Sequence, residues 1–386
     1  MRSGKRLMAK VGVACLLGTV ATAVVAVAPT SAQSSAEYAD YIVVLDKTGM
    51  DTKGVQTRAA SVAERFDSAV EHTYTTALQG FSLRLTKDQA KELAAERGVD
   101  YVVPDAPVKA MGEQLNPTWN LDRIDQRGLP LDNRYWYPNE AENVTAYVID
   151  TGVTALPDFA DRVLPGMDII DGDTDPADGN GHGSFIAGII GGTQYGVAKK
   201  IKIVGVKVLD DSGSGTIAGV IAGVDWVAAN ASGPAVANMS LGGGPSEALD
   251  AAVRNAIASG VPFTVAAGGS ASDAANFSPA RVIEALTIGA HDIGDCRASH
   301  SNYGSVVDMF APGQDITGPW LGGGSNTLSG SSFSAPHVAG AAGLYLHDNP
   351  SASPADVAAY LIGRATPDHL CNVPGGTPNK LLYTGP

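Results

Sequence analysis

The feature that most restricts this chain is the way apolar runs recur across residues 116–386. Short, almost unbroken apolar stretches at 144–149, 201–208, 235–239, 263–267 and 285–288 alternate with longer helical patterns at 216–229, 247–259 and 334–346. A strand with one wet face alternates apolar and polar residues, and a strand covered on both faces does not. These runs therefore predict an α/β arrangement of three layers, a central parallel sheet between two sets of helices. In such sheets the reactive groups gather where strands end and helices begin.

Residues 37–110 read differently. A strand at 41–45, a helix at 55–70, a strand at 80–85, a helix opened by Thr86 with Asp88 in its first turn, and a strand at 99–103 give a small α+β unit of the β-α-β-β-α-β kind. Residues 105–118, with Pro107, Gly112 and Pro117, interrupt every periodicity and predict the boundary between the two units. Ahead of both, Arg2, Lys5, Arg6 and Lys10 precede an uncharged apolar stretch at 11–28 and the small residues Pro29-Thr30-Ser31-Ala32. This reads as a signal peptide over 1–32, cut after Ala32, rather than a membrane anchor, and implies a secreted, extracellular protein. A formal net charge of −14 leaves no basic stripe for nucleic acid or an anionic membrane. Cys15 leaves with the leader; Cys296 and Cys371 then either pair in an oxidising compartment or stay as two buried thiols. No His or Cys spacing resembles a zinc site.

Three segments meet the strand-end rule. Tyr147-Val148-Ile149 delivers Asp150, Asn180-Gly181-His182-Gly183 opens an apolar helix, and Gly330-Ser331-Ser332 opens another. An alcohol is a weak nucleophile, so Ser332 needs His182 to take its proton and return it to a leaving amine, and Asp150 to hold the imidazole. Taken one at a time, a strand-end Asp is usually a cap and a Gly-flanked His a structural residue; order, spacing and helix-start context together point to a catalytic set. A third reading, an esterase with a nucleophile elbow at the serine, fails because Gly330-Ser331-Ser332-Phe333-Ser334 lacks the second glycine.

The segments VIDTG, GNGHGSFIAG, NMSLGGG and SGSSFSAPHVAG resemble the signature blocks of the subtilisin-like serine proteases, peptidase family S8, most like the proteinase K branch. His182 follows Asp150 by 32 residues and Ser332 follows His182 by 150, in the Asp, His, Ser order of that family. The resemblance covers nearly all of 116–385. It implies a subtilisin-like catalytic domain at 116–386, with Gly213-Ser214-Gly215 and Ser240-Leu241-Gly242 flanking bound peptide. It also implies a pocket wall at Ala266-Ala267-Gly268 and Ile217 at an outer subsite, giving broad tolerance with an apolar or aromatic preference. His337 is structural on the same comparison. The unit at 37–110, through YIVVL and HTYTTALQGFSLRL, resembles the ferredoxin-like inhibitory propeptide of the family. A zymogen follows, self-cleaved between Val108 and Asn116, with a mature start near Leu115, a monomer, acting on protein and peptide substrates.

The departures matter. Gly269 stands where the family carries the oxyanion-hole Asn, leaving the Ser332 backbone N–H and the Ser331 hydroxyl as donors, so reduced turnover is expected, and a catalytically impaired binding protein is the alternative. His-Gly-Thr-His becomes His182-Gly183-Ser184-Phe185 and Gly-Thr-Ser-Met becomes Gly330-Ser331-Ser332-Phe333; replacing Met by a ring predicts peroxide tolerance. Two disulfides of the branch have lost both partners, Gly179 with Asp211 and Ala275 with Val306. For calcium, the run Asp168 to Asp178, with Asp171, Asp173 and Asp175, reads either as an oxygen-ligand loop or as a solvated acidic one. The resemblance adds a second site at Asp308 with the carbonyls of Ile283 and Ala285.

Overall fold

A computed structural model describes residues 38–46, 50–106 and 112–386. The expected signal peptide, with Cys15, and part of the expected self-cleavage segment lie outside the described residues. The chain divides into two compact units, Met1–Val108 and Lys109–Pro386.

In the first unit an antiparallel sheet in the order Val70–Tyr74, Gly80–Thr86, Tyr38–Leu45, Val99–Pro104 is joined by helices Thr52–Arg65 and Lys87–Ala94. Val43, Leu45, Phe81, Leu83 and Leu85 from the sheet share one core with Val55, Ala59, Val62 and Leu93 from the helices. Thr86 and Gln89 form a reciprocal capping box, worth about 1 kcal/mol. The first helix stops at Arg65, short of the expected 70, because Asp67 takes a positive φ of 50° and Val70–Tyr74 joins the sheet.

The second unit is built on nine strands in the order Thr366–Pro367, Lys380–Leu381, Met309–Pro312, Leu286–His291, Phe263–Ala266, Ala235–Met239, Thr145–Asp150, Lys202–Lys207, Val163–Asp168. Every neighbouring pair is parallel except the edge pair Thr366–Pro367 with Lys380–Leu381. Strand Thr145–Asp150 shows why its run does not alternate. Ala146 and Val148 enter one core with Ile186 and Val338, while Tyr147 and Ile149 enter the other with Val220 and Val224. Helices Ile217–Asn230 and Glu247–Ala258 supply the second core, capped by Thr216 and Ser246. Helices His182–Gly191 and Ser331–Asp348 supply the first.

From Thr145–Asp150 the chain crosses to the edge strand Val163–Asp168, fills the gap with Lys202–Lys207, then returns to lay Ala235–Met239 and its successors on the other side. The strand order thus reverses at Thr145–Asp150, and a crevice opens at the carboxyl ends of strands flanking such a point. Gly112–Leu115 pairs antiparallel with Arg134–Tyr137, inside the stretch expected as a linker, so the second unit begins earlier than 116. The hairpin Ile316–Trp320 with Gly324–Leu328 carried no period-two signal. Cys296 and Cys371 are joined in a disulfide. Among the described residues, no helix is long and apolar enough to cross a membrane.

Candidate active site

Asp150 ends its strand at the reversal point and is wholly buried. Its Oδ1 accepts from the Thr151 N–H at 2.8 Å and meets His182 Nδ1 at 2.7 Å. Held this way, the imidazole carries its proton on Nδ1 and keeps the lone pair of Nε2 free. Burial works against the imidazolium, but the Asp150 carboxylate, helped by Asp178, outweighs it and His182 stands above its ordinary value.

His182 is the first residue of its helix, and the chain enters through Gly181 at φ 104°. A side chain at Gly181 would strike the Trp320 ring, so glycine is required on both counts. The loop before it is set by a residue that the sequence pattern assigns to the acidic run rather than to the site. Buried Asp178 accepts from Thr151 Oγ1, Asn180 N–H and Gly181 N–H through Oδ1 and from Ser184 N–H through Oδ2, at 2.8 to 3.0 Å. Thr151 Oγ1 in turn accepts from Gly183 N–H at 2.9 Å. The signal was present in the Asp-Gly-Asn-Gly-His spacing, since an Asp here caps the very turn that presents His182.

Ser332 is the second residue of helix Ser331–Asp348, and Pro336 explains how it is held. Proline has no N–H, so the Ser332 carbonyl lacks its helical donor. Ser240 Oγ fills the gap at 2.6 Å, and Ser332 Oγ donates to the Ser240 carbonyl at 3.2 Å. Asn238 and Thr264 extend this network, each through a 2.9 Å bond. Among the described residues no hydrogen bond joins Ser332 Oγ to His182. Their neighbourhood is nonetheless common: Ser240 lines the same cleft as His182, and the Phe333 ring lies 5.6 Å from the imidazole. Nucleophile-to-base bonds are often long until substrate arrives.

The cleft encloses about 610 Å³ and is lined by His182, Thr151 and Asn180, by Gly213, Ser214, Gly215 and Ile217, and by Ser240, Leu241 and Gly242. Ala266, Ala267 and Gly268 lie outside that lining; the two alanines are buried at and just beyond the end of strand Phe263–Ala266. Ser331 is also buried, and its hydroxyl accepts from Gly268 N–H at 3.0 Å, tying the helix start to that strand end. Gly269 is exposed, and a Cβ there would meet only His300 Cδ2, at 3.9 Å. Asn302 pins the following loop by accepting from Ser270 and Ser272 N–H. His337 is buried and pushed down to about 3 by that burial, its Nδ1 donating to the Phe333 carbonyl and its Nε2 accepting from Asn120, which is a structural role.

The two calcium readings fall in different surroundings. Asp171, Asp173 and Asp175 are exposed, and the carboxylates of Asp168 and Asp173 accept from backbone N–H groups of their own turns. Among the described residues no three Asp, Glu, His or Cys side chains group closely enough to hold a metal ion by themselves. Asp308 is different: burial lifts its carboxyl to about 6, with Thr287 N–H the chief offset. A desolvated carboxylate of this kind suits a hard cation. Where the branch carries a disulfide, the exposed Asp211 side chain lies against Gly179, and its carboxylate meets buried Lys207 at 2.9 Å.

Residues 141–380 match the Subtilase family, and residues 40–111 match the family described as Peptidase inhibitor I9. An alkaline serine exoprotease A of Vibrio alginolyticus is 52% identical over 82% of the chain, which spans 60% of that protein's length. An extracellular serine proteinase of Thermus sp. (strain Rt41A) is 47% identical, covering 87% of this chain and 82% of its own. The crystal structure of a cold adapted subtilisin-like serine proteinase is 55% identical and superposes with a TM-score of 0.69 over 70% of this chain and 98% of its own.

Proposed function

The chain belongs to the subtilase family, and on that footing we propose that it is an extracellular serine endopeptidase made as a zymogen, with Asp150, His182 and Ser332 as its catalytic set. The observation that carries the reading is the 2.7 Å bond from His182 Nδ1 to a fully buried carboxylate, beside a serine presented at a helix start. His182 Nε2 takes the Ser332 proton as Oγ attacks the scissile carbonyl, and the same nitrogen protonates the departing amine. Water, activated by the same base, then hydrolyses the acyl-enzyme. Asp150 keeps the ring in its tautomer and stabilises the imidazolium. The developing oxyanion receives the Ser332 N–H, which has no helical acceptor in the first turn.

Gly269 offers no side-chain donor. Loss of one amide donor costs about 10² to 10³ in turnover, a value measured for a subtilisin, itself a member of this family, and carried over to this chain as it stands. Reduced turnover is therefore part of the proposal. The competing reading, an impaired binding protein, is favoured by Gly269 alone. Leu209, Ile217, Val220, Leu241 and Leu249 in the cleft support a preference for apolar side chains. The first unit acts as the chain's own inhibitor, as its Inhibitor I9 match suggests. Because Gly112–Leu115 is woven into the second unit, the processing cut falls ahead of Gly112 rather than near Leu115. Calcium, if bound, would be held by Asp308 with the carbonyls of Ile283 and Ala285, as a structural ion.

The test is to express the full chain beside Ser332→Ala and follow release of the first unit on a gel. Release in the parent alone supports the endopeptidase; an unprocessed parent that also resists a fluorophosphonate after the first unit is removed by another protease would leave the binding protein.

A further inference from the structure

The two departures nearest the reacting groups touch each other. Phe185 and Phe333 stand where the resembling motifs carry His and Met, and their rings meet edge to face with centroids 5.1 Å apart. Phe185 lies one helical turn beyond His182, and Phe333 directly follows Ser332. The pair therefore bridges the first turns of the two helices that carry base and nucleophile. Phe333 continues the row to the imidazole at 5.6 Å, and Phe185 is backed on its far side by Trp320 at 6.1 Å. Both phenylalanines are buried, so neither ring is free to swing. The fold makes room for them: a Cβ at Gly318 would press to 3.1 Å on the Phe185 ring.

Among the described residues the His182 ring makes a single hydrogen bond, from its Nδ1 to Asp150. A single hydrogen bond leaves the ring free to tilt about it, and the Nε2 end must be aimed at Oγ to within a fraction of an ångström for proton transfer to be fast. We propose that Phe333 and Phe185, backed by Trp320, form an aromatic strut that positions the His182 imidazole and fixes the spacing between the two helix starts. They are positioning residues: neither supplies a polar group, and both act through His182. The inference rests on the reading of His182 as the base.

Mature enzyme prepared from the full chain is compared with Phe185→Leu, Phe333→Leu, the double variant, and Phe333→Met, which puts back the residue of the resembling motif and removes the ring. The readouts are kcat and KM on a peptidyl anilide across pH, and the rate of fluorophosphonate labelling. Each folded single variant is expected to lose about 10-fold in kcat over the whole pH plateau with KM within about 2-fold, because aim rather than binding is lost. The double variant is expected to lose no more than the worse single, since one strut is broken once. Parent-like kcat in a folded Leu or Met variant, or losses that multiply in the double, overturns the strut. A parent with no Ser332-dependent turnover overturns the peptidase reading instead, so the two failures are distinct. Where a Leu variant is not recovered folded, Phe333→Met decides by the same criteria.

Discussion

Replacing Gly269 by Asn should raise turnover, and the structure sets how far. The position is exposed, its φ is not in the left-handed region, and a Cβ there meets only His300 Cδ2 at ordinary contact distance, 3.9 Å. An asparagine therefore enters without strain, and the Asn302 bonds to Ser270 and Ser272 keep the loop from drifting. A full oxyanion donor is worth about 2.7 to 4 kcal/mol. Ordering one exposed amide side chain costs about 1 kcal/mol of that. The remainder corresponds to a gain of roughly 10- to 100-fold in kcat at about 1.4 kcal/mol per decade. KM should stay within a few-fold, because the donor acts on charge that exists only in the transition state. Steady-state kinetics on a peptidyl anilide measure both numbers, and Gly269→Ala, which restricts the backbone equally but brings no donor, is the control. A folded Gly269→Asn variant with unchanged kcat, or an equal gain in Gly269→Ala, refutes the reasoning.

The pH profile follows from His182. Its imidazole must be neutral to accept a proton and its value is raised, so kcat/KM should fall with decreasing pH through a midpoint above about 6.5, the ordinary imidazole value. Asp150→Asn should cut kcat by about 10⁴ and remove that upward displacement; a midpoint unmoved in the variant contradicts the assignment. Asp178→Ala strands four donors, three of them backbone N–H groups around His182, and should cost at least about 3 kcal/mol in denaturant unfolding as well as lowering kcat. Full stability in that variant would show that the loop is held by something else. Activity of the parent should survive peroxide while Phe333→Met loses it, measured as residual turnover after timed exposure; equal sensitivity removes the role of the ring.

Most of the architecture is legible because burial on two faces writes itself into the strand runs: 144–149 and 235–239 are apolar but for Thr145 and Asn238, and the cores on both sides claim alternate apolar residues of each. The positions of Asp150, His182 and Ser332 are legible because a strand end and two helix starts are marked by Gly and small polar residues. What the sequence hides is anything set by partners far along the chain. Ser240, 92 residues before Ser332 in the chain, brackets it where a proline four residues past the serine removes a helical donor. The acidic run reads as ion ligands because carboxylates recur in it, yet Asp178 turns inward to cap the His182 loop while Asp171, Asp173 and Asp175 face solvent. Gly112–Leu115 contains too few apolar residues to signal a strand, and it forms one only because Arg134–Tyr137 offers an edge.

The central claim is that Ser332 becomes a nucleophile through His182. It is tested most directly by exposing the mature protein to a fluorophosphonate and locating the adduct by peptide mass spectrometry. The account predicts a single stoichiometric adduct on Ser332, formed at a rate that falls as His182 is protonated and lost in His182→Ala. A folded protein that leaves Ser332 unmodified, or that labels it equally well without His182, contradicts it.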